Sequence, residues 1–121
     1  MESSKYHALF DIKYYKTRIN KATILQMGYP KLVRFLVNQE RKELIVQPCN
    51  QNEPLAFKVP KDFGPKTHGL DVNSLPLLNV IYKTFGWNRN TRYLAYGRYI
   101  EKDNIVVFDL ANCETFTDNT D

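Results

Sequence analysis

The sequence contains few residues of the types that form catalytic, metal or nucleotide sites. Its 121 residues include two cysteines, two histidines and five glycines. Cys49 and Cys113 are far apart and match no CxxC pattern, and His7 and His68 have no nucleophile or paired carboxylates near them in sequence. The scattered glycines form neither GxGxxG nor GxxxxGKS/T. We therefore predict that the protein is not an enzyme and uses no metal ion or cofactor.

The chain also has no long apolar segment. No apolar run approaches the roughly 18 residues that a transmembrane helix needs. The opening residues, MESSKYHALF, have no basic region followed by an apolar stretch, as a signal peptide would. We therefore expect a cytoplasmic protein with no membrane partner and with both cysteines as free thiols. Its length fits one compact domain or two very small interlocked ones, and its 43% hydrophobic content favours folding.

Acidic residues are scarce in the first half of the chain. Residues 1–61 contain 11 basic and 5 acidic residues, whereas residues 62–121 contain 6 and 8. Between Ile12 and Lys42, eight basic residues accompany a single acidic one, Glu40. Clustered positive charge favours a phosphate-rich partner. The alternative is a solvated face that keeps a small domain soluble, and charge alone leaves both interpretations open.

The first half begins with a strand pattern and a short helix pattern. Apolar residues recur at every second position of Lys5–Tyr15, which predicts a strand. Asn20 suits the N-cap of a helix over Lys21–Met27, because its side-chain oxygen can accept from the free amides of the first turn. Gly28 suits the end of that helix, and Pro30 prevents its continuation. The drier face of the strand carries Tyr6, Ala8, Phe10, Ile12 and Tyr14.

A hairpin and a linker follow this helix. Leu32–Val37 and Glu43–Gln47 read as strands joined by the polar turn NQERK. Ala56–Val59 is either a short strand or a covering segment. Pro60–Gly69 contains two prolines and two glycines, which predicts a linker.

The second half repeats this order. A short strand begins at Gly69, Asn73 or Ser74 suits a helix N-cap, and Gly86 suits the end of that helix. Two strands follow, over RYLAYGRY and NIVVFDL. The apolar face predicted for the helix carries Leu77, Val80, Ile81 and Phe85.

The spacing within the two halves also agrees. Six positions separate Gly28 from Arg34, and six separate Gly86 from Arg92. Each glycine lies between an apolar and an aromatic residue, and each arginine is followed by an aromatic residue and a leucine. A unit of roughly 45 residues cannot bury its apolar face alone, so a duplicated chain predicts a pseudo-dimer. Identity between the halves is low, and chance similarity is the alternative.

We therefore predict a β-rich α+β protein made of two strand–helix–hairpin halves. Residues 1–59 form the basic first half, residues 60–69 the linker, residues 70–112 the second half, and residues 113–121 a flexible acidic tail. The segment Lys16–Pro48 resembles the AbrB-like, swapped-hairpin module of bacterial transition-state regulators and antitoxins. Two tandem copies resemble the MraZ-type arrangement of that fold.

The resemblance implies a function and a site. In AbrB-like proteins, basic residues on the N-terminal strands and at the helix start contact double-stranded DNA. Carried onto this sequence, that role falls to Lys13, Lys16, Arg18 and Lys21. Arg18 is the expected base reader, because a guanidinium can contact guanine O6 and N7 together. The resemblance implies a transcriptional regulator, and it leaves a homodimer open.

Two other functions remain compatible with the sequence. The first is a protein-interaction or oligomerisation module without nucleic-acid binding, since eight tyrosines, seven phenylalanines and a tryptophan supply good interface residues. The second is binding to RNA or a single strand, because Tyr14, Tyr15 and Lys16 combine aromatic rings with charge. A strand with one inward and one outward tyrosine explains the same residues equally well.

Overall fold

The computed structural model describes residues 5–50, 56–61 and 69–117. Within these residues the chain forms a strand-rich α+β fold, as the sequence predicts. A single 3₁₀ turn, Ile12–Tyr14, joins the first two strands. The elements are β1 His7–Asp11, β2 Lys16–Asn20, α1 Lys21–Gln26, β3 Leu32–Asn38, β4 Glu43–Cys49, β5 Ala56–Lys58, β6 Gly69–Val72, α2 Leu75–Thr84, β7 Thr91–Ile100, β8 Ile105–Asp109 and β9 Glu114–Thr117.

The described strands form one antiparallel sheet that is nearly barrel-shaped. Their order is β5-β3-β4-β8-β7-β1-β2-β6, and β9 pairs with the first part of β7. Helix α1 contacts β2 and β6, and helix α2 contacts β2 and the 3₁₀ turn. Alternate strand residues point inward and form one core. Its largest fully buried side chains include Phe10, Phe108, Ile19, Ile24, Leu44, Leu78 and Ile81.

Strands from the two parts of the sequence pair with each other. β2 pairs with β6, which places Arg18 opposite Asp71. β4 pairs with β8 and β1 pairs with β7. These three pairings cross from residues 1–59 to residues 70–112, so the described sheet does not divide into two separate sheets.

The ends of the two helices have the same hydrogen-bond pattern. The Tyr29 amide donates to the Ile24 carbonyl at 3.0 Å, and the Trp87 amide donates to the Tyr82 carbonyl at 2.8 Å. The glycine before each of these amides has a positive φ, +87° and +64°, which is the backbone conformation that completes a Schellman motif. The predicted glycine stops are confirmed.

The two hairpins also have turns of the same length. Asn38 pairs with Glu43, and Ile100 pairs with Ile105, so each loop contains four residues. The last loop residue is left-handed in both cases, with φ values of 55° at Lys42 and 52° at Asn104.

The structure differs from the sequence prediction in the first strand. The predicted strand over Lys5–Tyr15 ends at Asp11, where the chain enters the 3₁₀ turn. Ile12 remains buried, but Tyr14 and Tyr15 are both exposed, so Tyr14 does not join the dry face. The alternating pattern could not predict where β1 ends, because the turn over Ile12–Tyr14 interrupts the period of two. The tyrosines that follow continue the apparent strand pattern in the sequence.

The buried face of α2 also differs from the prediction. Of the predicted face, Ile81 is buried and Leu77 and Phe85 are partly buried against the core, whereas Val80 is exposed. Leu78 and Tyr82 complete the buried face. Both faces of this helix are apolar enough to pack. On the buried face, the Tyr82 hydroxyl bonds to the backbone of β7 and of the β1 end.

The end of the described chain differs as well. Glu114–Thr117, predicted to belong to a flexible tail, form β9 and pair with Thr91–Leu94 of β7. The pairing is possible because β8 covers only the second part of β7 and leaves that edge open. Residues 118–121 lie outside the described residues, as does the linker segment 62–68.

Candidate nucleic-acid interface

Strand β2 separates a buried face from a basic outer face. Thr17 and Ile19 are fully buried, while Lys16, Arg18 and Asn20 on the alternate positions are partly exposed. Lys21 follows at once as the first residue of α1. Three of the four predicted DNA-binding residues therefore lie in a row along one outer face, which we call the β2 stripe (Lys16, Arg18 and Lys21).

A groove of about 430 Å³ runs beside the β2 stripe. It is formed by the outer faces of β1, β2 and β7 and by the start of α1. Its lining residues are His7, Leu9, Arg18, Asn20, Lys21, Ala22 and Leu94. The groove is open to solvent and combines an apolar floor with cationic side chains at one side.

Asn20 fixes the position at which the strand becomes a helix. Its side-chain oxygen accepts hydrogen bonds from the Thr23 amide at 3.3 Å and from the His7 amide at 3.2 Å. Its side-chain nitrogen donates to the Lys5 carbonyl at 2.7 Å. The predicted N-cap is confirmed, and the same side chain joins the helix start to the beginning of β1.

Arg18 is held by an acidic residue from the second half of the chain. Its Nε lies 2.7 Å from Asp71 Oδ1 and its Nη2 lies 3.0 Å from Asp71 Oδ2. The hydrogen bond to Asp71 raises the pKa of Arg18, against partial desolvation, so the guanidinium stays charged. Asp71 therefore compensates the positive charge of Arg18.

His7 contributes little charge to the groove at neutral pH. Its ring is half-buried and meets Tyr96 edge-on, with the ring centroids 6.4 Å apart. Burial lowers the pKa of His7 below its ordinary value. The imidazole is therefore mainly neutral at pH 7.

Lys13 lies apart from the other predicted residues. It is exposed on the 3₁₀ turn, and its Nζ is 5.8 Å from the centroid of the Tyr14 ring. Lys13, Tyr14, Tyr15 and Lys16 form the end of the β1–β2 hairpin, which we call the tyrosine turn. The groove and the tyrosine turn thus occupy the two ends of β2.

Sequence reasoning missed the partners of this site. Asp71 is visible in the sequence as an acidic residue ahead of the second helix, but its contact with Arg18 depends on the pairing of β2 with β6. His7 and Leu94 enter the groove through the pairing of β1 with β2 and β7. The β2–β6 and β1–β7 pairings join distant parts of the chain and leave no local sequence signal.

The cysteines of the described chain offer no activated nucleophile. Cys49 is buried, and neither cysteine forms a disulfide. Burial and the nearby Asp109 carboxylate raise the pKa of Cys113 to about 12, so its thiol remains protonated at neutral pH. Within residues 5–50, 56–61 and 69–117, no cluster of three or more His, Cys, Asp or Glu side chains is arranged to hold a metal ion.

An apolar groove of about 300 Å³ lies on another part of the surface. It is formed by β3, β5 and the first turns of α2, and its side chains include Phe35, Leu36, Phe57, Leu77 and Val80. The exposed apolar residues of α2 reach solvent here because the opposite face of that helix fills the core.

Comparison with known proteins gives no match among family models, curated proteins or solved structures. None of the helices in the described part of the chain has the length and apolar character required to cross a membrane.

Proposed function

We propose that the protein is a cytoplasmic, AbrB-like DNA-binding regulator that binds duplex DNA through the β2 stripe. The observation that carries this proposal is the row of Lys16, Arg18 and Lys21 on one solvent-facing surface, beside an open groove. Ammonium and guanidinium groups on one face neutralise phosphates and release counterions, which supplies most of the affinity for a duplex. Lys13 extends the positive surface beyond the strand.

We also propose that the chain is a tandem swapped-hairpin pseudo-dimer. The repeated Schellman motifs and the two four-residue hairpin loops support equivalent halves. The antiparallel pairs β2–β6 and β4–β8 support a twofold relation, because each joins strands that are equivalent in the proposed repeat. In this arrangement the first half supplies the DNA-binding charge and the second half completes the core.

The role of Arg18 as a base reader depends on its ion pair with Asp71. The carboxylate occupies Nε and Nη2, the nitrogens that a bidentate contact to guanine also uses in this orientation. Arg18 can contact a base by exchanging Asp71 for the base edge or by using the remaining hydrogens of Nη1 and Nη2.

The proposal is tested by titrating the protein against a fluorescently labelled duplex of mixed sequence at several salt concentrations. We expect log K to fall linearly with log salt, with a slope of about 0.9 for each phosphate contact. The double charge reversal Lys16→Glu/Lys21→Glu should weaken binding and reduce the slope by about 1.8, because two contacts are lost. Arg18 is left unchanged, since its loss would also remove the β2–β6 ion pair.

A matched control is available in the β7–β8 loop, outside the β2 stripe. Lys102 is exposed in the β7–β8 loop, and Lys102→Glu changes the net charge without altering the stripe. It should leave the salt slope close to that of the wild type. Absence of binding at low salt would refute the proposal. It would also be refuted if Lys16→Glu/Lys21→Glu lost no more binding free energy than twice the loss caused by Lys102→Glu.

The apolar groove favours protein interaction as a second candidate function. Its floor carries Phe35 and Phe57, whose stacked rings have centroids 5.2 Å apart, and its rim carries the exposed Val80. Failure of duplex binding together with stable self-association or partner capture that Val80→Asp abolishes would favour this function over DNA binding.

A further inference from the structure

The tyrosine turn presents two aromatic rings to solvent. The side chains of Tyr14 and Tyr15 are 63% and 54% exposed, the largest values among the exposed large apolar or aromatic residues of the described chain. An isolated exposed apolar residue is ordinary, but here two consecutive tyrosines at the end of a hairpin are both exposed. Their exposure also removes the explanation that one ring faces the core.

The other tyrosines of the chain are used differently. Of the eight, six have a hydroxyl that makes a hydrogen bond to another part of the described chain. Those six are Tyr6, Tyr29, Tyr82, Tyr93, Tyr96 and Tyr99. Tyr14 and Tyr15 are the two for which the described residues show no hydroxyl hydrogen bond, and both residues are largely exposed.

Hydrogen bonds fix the backbone at the base of the tyrosine turn. Ile12 is buried, and its amide donates to the Tyr82 hydroxyl at 3.4 Å. The Tyr15 amide donates to the Ile12 carbonyl at 3.2 Å, and Tyr15 has a left-handed φ of 56°. These hydrogen bonds fix the backbone from which both side chains project, so binding costs little backbone freedom.

Positive charge lies on both sides of the rings. Lys13 precedes them and Lys16, the first residue of the β2 stripe, follows them. Aromatic surface flanked by cations fits a nucleic-acid strand, because bases stack on the rings while the adjacent phosphates contact the ammonium groups. A paired duplex hides its base faces within the stack, so only unpaired bases can use the tyrosines in this way.

We propose that the tyrosine turn binds unpaired bases, so that the preferred ligand is duplex DNA interrupted by a short unpaired segment. This inference rests on the proposed function, in which the β2 stripe holds the flanking duplex. Tyr14 and Tyr15 supply the stacking surface, and Lys13 and Lys16 hold the phosphates on either side of the unpaired bases.

The experiment compares two labelled duplexes of equal length, one fully paired and one with four central unpaired bases that include 2-aminopurine. We expect the wild type to bind the interrupted duplex about tenfold more tightly or better, and to quench the 2-aminopurine fluorescence as the base stacks. Tyr14→Ala/Tyr15→Ala should lose both the preference and the quenching and should keep the affinity for the paired duplex.

Two further variants guard against loss of the fold. Tyr14→Phe/Tyr15→Phe keeps both rings and should retain the preference. Leu75→Ala removes an exposed apolar side chain from α2 and should change neither affinity. Thermal unfolding of each variant confirms that the fold is kept.

The outcomes separate the two proposals. Equal wild-type affinity for the two duplexes, or an unchanged preference in Tyr14→Ala/Tyr15→Ala, overturns the role of the turn even if the Lys16→Glu/Lys21→Glu result supports duplex binding. Lack of binding to either duplex at low salt overturns both proposals.

Discussion

Tyr82 joins helix α2 to the ends of two strands. Its hydroxyl lies 2.8 Å from the Thr91 carbonyl oxygen and 3.1 Å from the Phe10 carbonyl oxygen, and its ring meets Trp87 edge-on. Burial raises the pKa of this hydroxyl well above its ordinary value. The folded protein therefore stabilises the neutral phenol, which alone can donate to these backbone carbonyls.

Tyr82→Phe should lower the free energy of unfolding by about 1–3 kcal/mol at pH 7, since buried carbonyls lose their donor. The Tyr82 hydroxyl makes its full contribution to the free energy of unfolding below about pH 10, the ordinary tyrosine pKa. It falls as pH rises further, because the unfolded chain releases this proton first. The difference in free energy of unfolding between wild type and Tyr82→Phe should therefore decrease above pH 10. Urea unfolding at pH 7, 9 and 10.5 tests this, and a constant difference would contradict it.

Helix α1 shows which elements the sequence can predict. Asn20 as N-cap and Gly28 as stop were predictable because each acts on amides or carbonyls within a few residues. The end of β1 at Asp11 and the buried face of α2 could not be predicted from the sequence. In both places Tyr82 contacts backbone atoms from distant parts of the chain. The position of the β2 stripe could be predicted from the alternation of buried and exposed residues. The compensation of the Arg18 charge by Asp71 could not, because it depends on the register of β2 against β6.

Asn20→Ala should cost about 2 kcal/mol of unfolding free energy, because it removes a helix cap and leaves the His7 amide without its acceptor. Asn20→Asp keeps the acceptor oxygen and loses only the donor to the Lys5 carbonyl, so its loss should be smaller. Chemical unfolding followed by circular dichroism gives both values. Equal losses in the two variants would show that the cap does not account for the effect.

The whole sheet depends on pairs between distant parts of the chain. β1 with β7, β2 with β6 and β4 with β8 all join residues before position 60 to residues after position 68. Neither part holds a complete set of neighbours for its buried strands. Folding should therefore be cooperative over the whole molecule, because removal of one part exposes the inner face of the other.

Fragments 1–61 and 62–121, expressed separately, should each lack a cooperative unfolding transition. Mixed in equal amounts, they should regain the circular dichroism spectrum and a transition whose midpoint rises with concentration. Thermal scans of each fragment and of the mixture test this expectation. A cooperative transition in either fragment alone would show that this part folds independently.

The ion pair between Arg18 and Asp71 also affects the choice of strand partner. If β2 paired with β2 of a second chain so that the two Arg18 residues lay opposite each other, their like charges would destabilise the sheet. With β6 as partner, the same position holds opposite charges 2.7 Å apart. The Arg18–Asp71 pair thus favours β6 over another β2 as the strand partner of β2, and a single acidic side chain of the second half supports that choice.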